Sequence, residues 1–308
     1  MIATVVGSYP RPKWFREYLK RIEGLQKDLD AEVDVEILKK AISEVIEKQR
    51  EAGIDLMTDG QLIWHDFLAT LATRIDGFVM DGLVRYFDNN LYYRKPIVKD
   101  RLRRKGDILW DFKLALEIER NVKPILSCFT LAKLSKNEYY SNFEELLWDL
   151  GEIVKEEIRD LNVEFIQFDE PALLFASKGE IEIARDVFKE ICKVNARTIL
   201  MTYFRSAENI FPEVLDFGFD IIGLDFVEGF DANLKLAKEY GLEMINVGIV
   251  DARNTRMEDL NDLKAKLEKI LDFAKEVYIS PNTGLEFLPE VKAFEKMKLV
   301  SKLKEAFE

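Results

Sequence analysis

Phe165-Ile166-Gln167-Phe168-Asp169-Glu170-Pro171-Ala172-Leu173 is an apolar, strand-forming run that ends in two adjacent carboxylates and then a proline that cannot donate to a strand ladder. Such a junction marks a strand end leading into a loop. Seven more apolar runs of similar length recur along the chain, which places strand candidates at 2–6, 54–58, 122–128, 163–168, 198–203, 219–225, 243–248 and 275–280. Each is followed by a helical or helix-containing segment. Thr198-Ile199-Leu200-Met201 and Val277-Tyr278-Ile279 are apolar without alternation, as parallel strands covered on both faces require. The intervening helices carry one-sided stripes, such as Ile37, Leu38, Ala41, Ile42, Val45 and Ile46 ahead of Gly53. Eight such units predict a closed (βα)8 TIM barrel in a single domain, 1–308.

The regular spacing breaks between about 60 and 121, where a long excursion containing Phe87-Asp88-Asn89-Asn90-Leu91-Tyr92-Tyr93 predicts an insertion after the second strand. No short-period repeat, low-complexity tract or Pro/Gly/Ser linker suggests a second domain.

Composition narrows the functional classes. A chain of 308 residues with 48% apolar and 33% charged residues is that of a compact globular protein. Its 57 acidic and 45 basic residues leave a net charge of −12, which argues against nucleic acid and against anionic membrane surfaces. Two cysteines, Cys128 and Cys192, make no disulfide framework, and the absence of a leader-like N-terminus leads to the expectation of a cytoplasmic protein. Abundant Lys and Glu beside few Gln, Cys and His match the bias of heat-adapted proteins.

A barrel gathers the polar residues at its strand ends on one face. Those residues are Ser8 and Arg11, Asp59 and Gln61, Asp169 and Glu170, Tyr203 and Arg205, Asp225, Asp251 and Arg253, and Asn282. Asp169 and Glu170 are the catalytic candidates, as an acid/base pair. Because successive residues leaving a strand point different ways, at most one faces the axis, and the other reading is that one accepts backbone N–H groups or pairs with an arginine. A Cys/His zinc site is not expected with His65 as the one histidine, and Cys128 has no histidine to activate it. The run Arg94 to Lys105, with seven basic residues against Asp100, is either a polyanion site or a solvated loop. Tyr92 and Tyr93 beside it either wall a ligand or pack the insertion down.

Val6-Gly7-Ser8-Tyr9-Pro10-Arg11, the Phe87-to-Tyr93 run, Phe168-Asp169-Glu170-Pro171-Ala172-Leu173, Thr202-Tyr203-Phe204, Gly248-Ile249-Val250-Asp251-Ala252-Arg253-Asn254 and Ser280-Pro281-Asn282-Thr283-Gly284-Leu285 together resemble cobalamin-independent methionine synthase, in particular its N-terminal barrel. The resemblance spans nearly the whole chain. It implies kinship with a two-barrel enzyme whose C-terminal barrel holds zinc through a His, two Cys and a Glu, and moves a methyl group from folate to homocysteine sulfur. Where that half carries its His and first Cys, this chain has Met201-Thr202-Tyr203-Phe204; Thr283 stands at the last Cys and Asp225 at the Glu. The resemblance therefore implies no metal and no cofactor held by this chain alone.

The N-terminal barrel of that family braces the catalytic one and lends basic residues to the folate glutamate tail, a role that falls by resemblance on Arg16, beside Glu17, and on Lys20, one residue farther along than the family spacing. Arg11, Asp59, Tyr203, Asp251, Arg253 and Asn282 complete the expected ligand-binding set. The expected function is a free-standing counterpart of the N-terminal barrel that supports methyl transfer to homocysteine with a separate zinc-bearing barrel, with a folate-type methyl donor shared with that partner. Two alternatives stand beside it: a metal-independent barrel enzyme using its strand-end carboxylates, and a scaffold for a folate or corrinoid-bearing partner.

Overall fold

The computed structural model describes residues 1–23, 32–87 and 91–308. Among the described residues ten strands are formed: β1 (Ile2–Ala3), β2 (Ile75–Val84), β3 (Tyr93–Arg104), β4 (Ile125–Leu126), β5 (Lys136–Asn137), β6 (Phe165–Asp169), β7 (Arg197–Met201), β8 (Ile221–Asp225), β9 (Met244–Val250) and β10 (Glu276–Pro281). Seven of them make one parallel sheet in the order β1-β10-β9-β8-β7-β6-β4. The gap between β1 and β4 is bridged by the apolar run around 54–58, through parallel pairs Thr4↔Leu56 and Met57↔Val122. The expected second strand is therefore present as two isolated pairings rather than a full ladder, and the ring closes through it as a (βα)8 barrel. The first and third strands are likewise shorter than their apolar runs, because both border this loosely laddered corner.

Around the barrel lie α1 (Lys13–Ile22), α2 (Val35–Glu51), α3 (Phe67–Thr73), α4 (Trp110–Ile118), α5 (Phe129–Leu134), α6 (Phe143–Arg159), α7 (Lys178–Ile191), α8 (Phe230–Glu239), α9 (Leu260–Leu271) and α10 (Glu290–Glu305). Local chemistry sets their ends. Asp34 caps α2 by accepting the amides of Glu36 and Ile37, and Ser177 with Glu180 forms a capping box on α7. The α2 stripe Leu38, Ala41, Ile42, Val45 and Ile46 is fully buried. Each of its Leu, Ile and Val side chains stabilises the fold by roughly 1.5–3 kcal/mol relative to exposure. Gly53 follows at φ +80, and a Cβ there would meet Ser301 Oγ at 2.2 Å.

The excursion after the second strand contains α3 and an antiparallel hairpin of β2 with β3, to which β5 adds in parallel, before α4 resumes the barrel pattern. Asp88, Asn89 and Asn90 lie outside the described residues. Tyr93 packs the hairpin down, edge-on to Phe67 at 5.9 Å and to Phe87 at 5.8 Å, whereas Tyr92 is 64% exposed.

The basic run of the hairpin is matched by acids. Lys99 and Lys136 both pair with Glu138, Arg101 lies 3.5 Å from Asp149 and Arg104 lies 2.7 Å from Glu157. Arg103 and Lys95 sit opposite Asp76 and Asp81 in the β2–β3 register. The charges are engaged within the fold.

Inside the barrel, alternate residues of each strand face the axis. Leu56, Phe165, Ile199, Ile221 and Tyr278 form an apolar floor layer. The layer above it is polar: Thr4, Lys123, Gln167, Asn246 and Ser280, none with exposed surface.

Candidate functional site

A cavity of about 590 Å³ opens at the C-terminal ends of the strands, between the loops after β1 and β10 on one side and the inserted hairpin on the other. The most buried carboxylate of its lining is Asp169, the last residue of β6. Gln167 Nε2 donates to Asp169 Oδ1 at 2.7 Å, and the Tyr203 hydroxyl donates to Oδ2 at 3.2 Å. Burial pushes the Asp169 carboxyl up to about 7, opposed by the Gln167 bond and by the charge of Lys123. Burial and the Asp169 charge together push the Tyr203 phenol well above its usual range, so it remains a donor.

Glu170, one residue on, points elsewhere. Its Oε1 accepts the amides of Cys128 at 2.6 Å and Phe129 at 3.2 Å, and its Oε2 that of Thr130 at 2.6 Å and the Ser127 hydroxyl at 3.3 Å. It sits at the N-terminus of α5 and satisfies donors that the helix itself leaves open. Burial lifts its carboxyl to about 7 while those amides pull it back down. The paired carboxylates of the sequence therefore split into one that lines the cavity and one that holds a helix.

Two non-glycine residues among those described have positive φ, Gln61 at 51° and Phe204 at 82°, and both line the cavity. An acid holds each. Asp59 Oδ1 accepts the Gln61 amide at 3.2 Å, and Asp225 Oδ2 accepts the Phe204 amide at 2.9 Å. Asp225 Oδ1 also takes the amides of Val227 and Glu228, and Asn282 Nδ2 reaches the same carboxylate. Conformations costing on the order of 1–3 kcal/mol are thus fixed where the backbone forms the ligand wall. Asp59 and Asp225 lie behind that wall. Burial and neighbouring Asp111 raise Asp59 to about 7, and burial raises Asp225 to about 6.

Of the other residues expected at the site, Arg11 lines the cavity with its guanidinium tied to the Leu62 and Trp64 carbonyls at 2.6 and 2.7 Å. Arg16 stands exposed at the lip, with Lys13. Lys20 lies one turn farther along α1, outside the lining, 3.4 Å from Glu17. Asp251 accepts the Arg253 amide, and Arg253 reaches Glu228 at 3.0 Å and lies 5.3 Å from the Phe204 ring. Asn282 Oδ1 accepts the Ala252 amide, so Asp251, Arg253 and Asn282 brace the rim rather than line the cavity. Arg205 lies over Phe175 at 4.5 Å.

Sequence reasoning missed Lys13, Trp64, Glu286 and the buried Lys123. Glu286, which accepts from the Ser8 hydroxyl, follows a motif already singled out. Lys123, a lone lysine inside an apolar run, was the readable signal of an unusual barrel interior.

The residues present do not fit zinc. Cys128 is buried at the N-cap of α5 beside Glu170, its thiol raised well above the usual range by burial. Cys192 caps the far end of α7, pushed up to about 12 by burial, and His65, in the cavity lining, lies 3.8 Å from Glu23. Among the described residues no three His, Cys, Asp or Glu converge as a metal site, and no helix is long and apolar enough to cross a membrane.

The model of the cobalamin-independent synthase N-terminal domain matches residues 77–275. Methionine synthase of Sulfolobus acidocaldarius is 32% identical over 307 residues, covering 96% of this chain and 88% of that protein. Methionine synthase of Sulfurisphaera tokodaii is 32% identical with the same coverage. Among solved structures, a B12-independent methionine synthase from a Shewanella species in complex with selenomethionine superposes with a TM-score of 0.86 at 20% identity, over 99% of this chain and 97% of that one. A methyltransferase from Methanosarcina mazei superposes with a TM-score of 0.67 at 11% identity, over 99% and 93%. These two likenesses bear on the fold. With the family model covering most of the barrel and curated relatives matched almost end to end, the chain belongs to the cobalamin-independent methionine synthase family, as a single barrel of the N-terminal-domain type.

Proposed function

We propose that this barrel holds a small-molecule ligand in its strand-end cavity and supports methyl transfer to homocysteine sulfur together with a separate zinc-bearing barrel. The observation that carries the reading is the cavity itself: an acid at the floor, aromatic walls from Trp64, Tyr93 and Phe204, and the cations Lys13 and Arg16 at the lip, with no metal-binding cluster of His, Cys, Asp or Glu among the described residues. That polarity suits a folate-type donor, with its ring hydrogen-bonded to the floor and its glutamate tail leaving past α1. Mixing the purified chain with a zinc-bearing homologue is expected to yield a complex and faster methyl transfer from 5-methyltetrahydropteroyltriglutamate. Absence of both a complex and a rate change would sink the proposal.

The tail contact has its own test. In calorimetric titration with the same triglutamate, Arg16→Ala is expected to weaken binding about tenfold, through loss of one charge-assisted contact. Lys20→Ala, outside the lining, is expected to change it less than about twofold. Equal losses would move the tail along α1.

A second reading, a metal-independent enzyme, is favoured by Asp169 alone: a buried carboxyl near neutrality in contact with both the cavity and Tyr203. If Asp169→Asn leaves every turnover and ligand affinity of the chain alone intact, that reading fails.

A further inference from the structure

Lys123 has no exposed surface, yet among the described residues no acid is within ion-pairing distance of its Nζ, and its hydrogen bond goes to Thr4 Oγ1 at 2.8 Å. Thr4 Oγ1 in turn donates a hydrogen bond to the Leu56 carbonyl at 2.7 Å. An ammonium has three N–H groups to place, so two look for acceptors inside the barrel. The same polar layer contains two buried side-chain oxygens with no donor, Gln167 Oε1 and Asn246 Oδ1. Gln167 spends its amide on Asp169 Oδ1 and the Val6 carbonyl, and Asn246 turns its amide to Met201 Sδ at 3.2 Å. Both carbonyl ends are left in the lumen. Asp169 stands one inward position above Gln167 on β6, and it is the charged group that acts on Lys123.

We propose that Lys123 is a positioning residue for the cavity: buried beneath Asp169, it serves as the counter-charge of Asp169, and the two share a proton through buried water held by the free carbonyl oxygens of Gln167 and Asn246. The floor then presents a carboxylate with a proton reserve behind it, whatever ligand the cavity takes. Moving a proton from Lys123 to Asp169 changes no net charge in the lumen, so the floor can switch between acceptor and donor without importing an ion. The groups facing Asp169 are Tyr203 from the end of β7, Gln167 on its own strand, the adjacent Glu170 and Lys123 across the lumen; those facing Lys123 are Thr4 and Asp169. Burial lowers Lys123 to about 7, and the Asp169 charge pulls it back up.

Linkage makes the test reciprocal. In protein labelled with ¹³Cγ-aspartate and ¹³Cε-lysine, the Lys123 resonance is expected to titrate near neutrality, well apart from ordinary lysines at about 10.4. Lys123→Met removes the attraction that favours the Asp169 carboxylate, so the Asp169 midpoint is expected to rise by at least about one pH unit. Asp169→Asn removes the matching attraction on the ammonium, so the Lys123 midpoint is expected to fall by a similar amount. An Asp169 midpoint unmoved in Lys123→Met, or a Lys123 midpoint unmoved in Asp169→Asn, would overturn the proposal. The near-isosteric Asp169→Asn arm decides alone if Lys123→Met does not fold.

Discussion

Glu170→Ala is expected to lower the stability of this protein by at least about 3 kcal/mol, a fall of roughly 5 °C in melting temperature. The Glu170 carboxylate accepts three consecutive amides, those of Cys128, Phe129 and Thr130, together with the Ser127 hydroxyl, and none of these groups is within reach of bulk water. Removing the carboxylate strands all of them at once, at the N-terminus of a six-residue helix with little stability of its own. Glu170→Gln keeps one carbonyl acceptor but turns an NH₂ group toward donors, so an intermediate loss is expected. Thermal unfolding followed by circular dichroism measures both. Because Glu170 does not line the cavity, ligand affinity of the folded Gln variant is expected to stay within about twofold of the parent. A variant that melts like the parent but loses affinity or turnover would return Glu170 to the chemistry.

The second large effect is on the pH dependence of stability. Asp59, Asp169 and Glu170 are each raised to about 7 and Asp225 to about 6, with burial as the first cause in every case. A carboxyl raised in the folded state binds a proton there that the unfolded chain has already released, so stability is full below the ordinary carboxylate range and is lost as pH rises toward 7. The exposed carboxylates held low, Glu138 by Lys136 and Lys99 and Glu190 by Lys193 and Lys155, work the other way only as pH falls below their ordinary values, and solvent screening makes them weak. The melting temperature is therefore expected to be higher near pH 5 than near pH 7, by an amount corresponding to at least about 2 kcal/mol. Scanning calorimetry across that interval measures it, and Asp59→Asn is expected to flatten the slope. A melting temperature that climbs steadily from pH 5 to pH 7 would show that these carboxylates are ionised throughout.

Much of the architecture was legible in the residues. Eight apolar runs at regular spacing, the stripe on α2 and the breaks in the ladder at Gly53 and Pro171 follow from periodicity and backbone chemistry, which are local properties. The excursion between 60 and 121 was visible as a gap in that rhythm, but its β2–β3 hairpin was not. Its basic run could be counted from the sequence, yet only the cross-strand register and the packing against α6 put Asp76, Asp81, Glu138, Asp149 and Glu157 beside it. The strand-end location of the site was likewise readable, whereas the division of labour within it was not.

By itself, the order of residues determined that this chain closes a parallel barrel and that its polar residues collect at one mouth, because both follow from the repeat along the chain. Tertiary structure alone decided that Asp169 faces the cavity while its neighbour Glu170 caps α5, that Asp59 and Asp225 act from behind by pinning Gln61 and Phe204, and that Lys123 comes to lie beneath the floor. Those outcomes depend on which way a side chain turns at the end of a pleated strand and on which donors meet it across the barrel, with partners as far as 42 and 119 residues away in sequence among them.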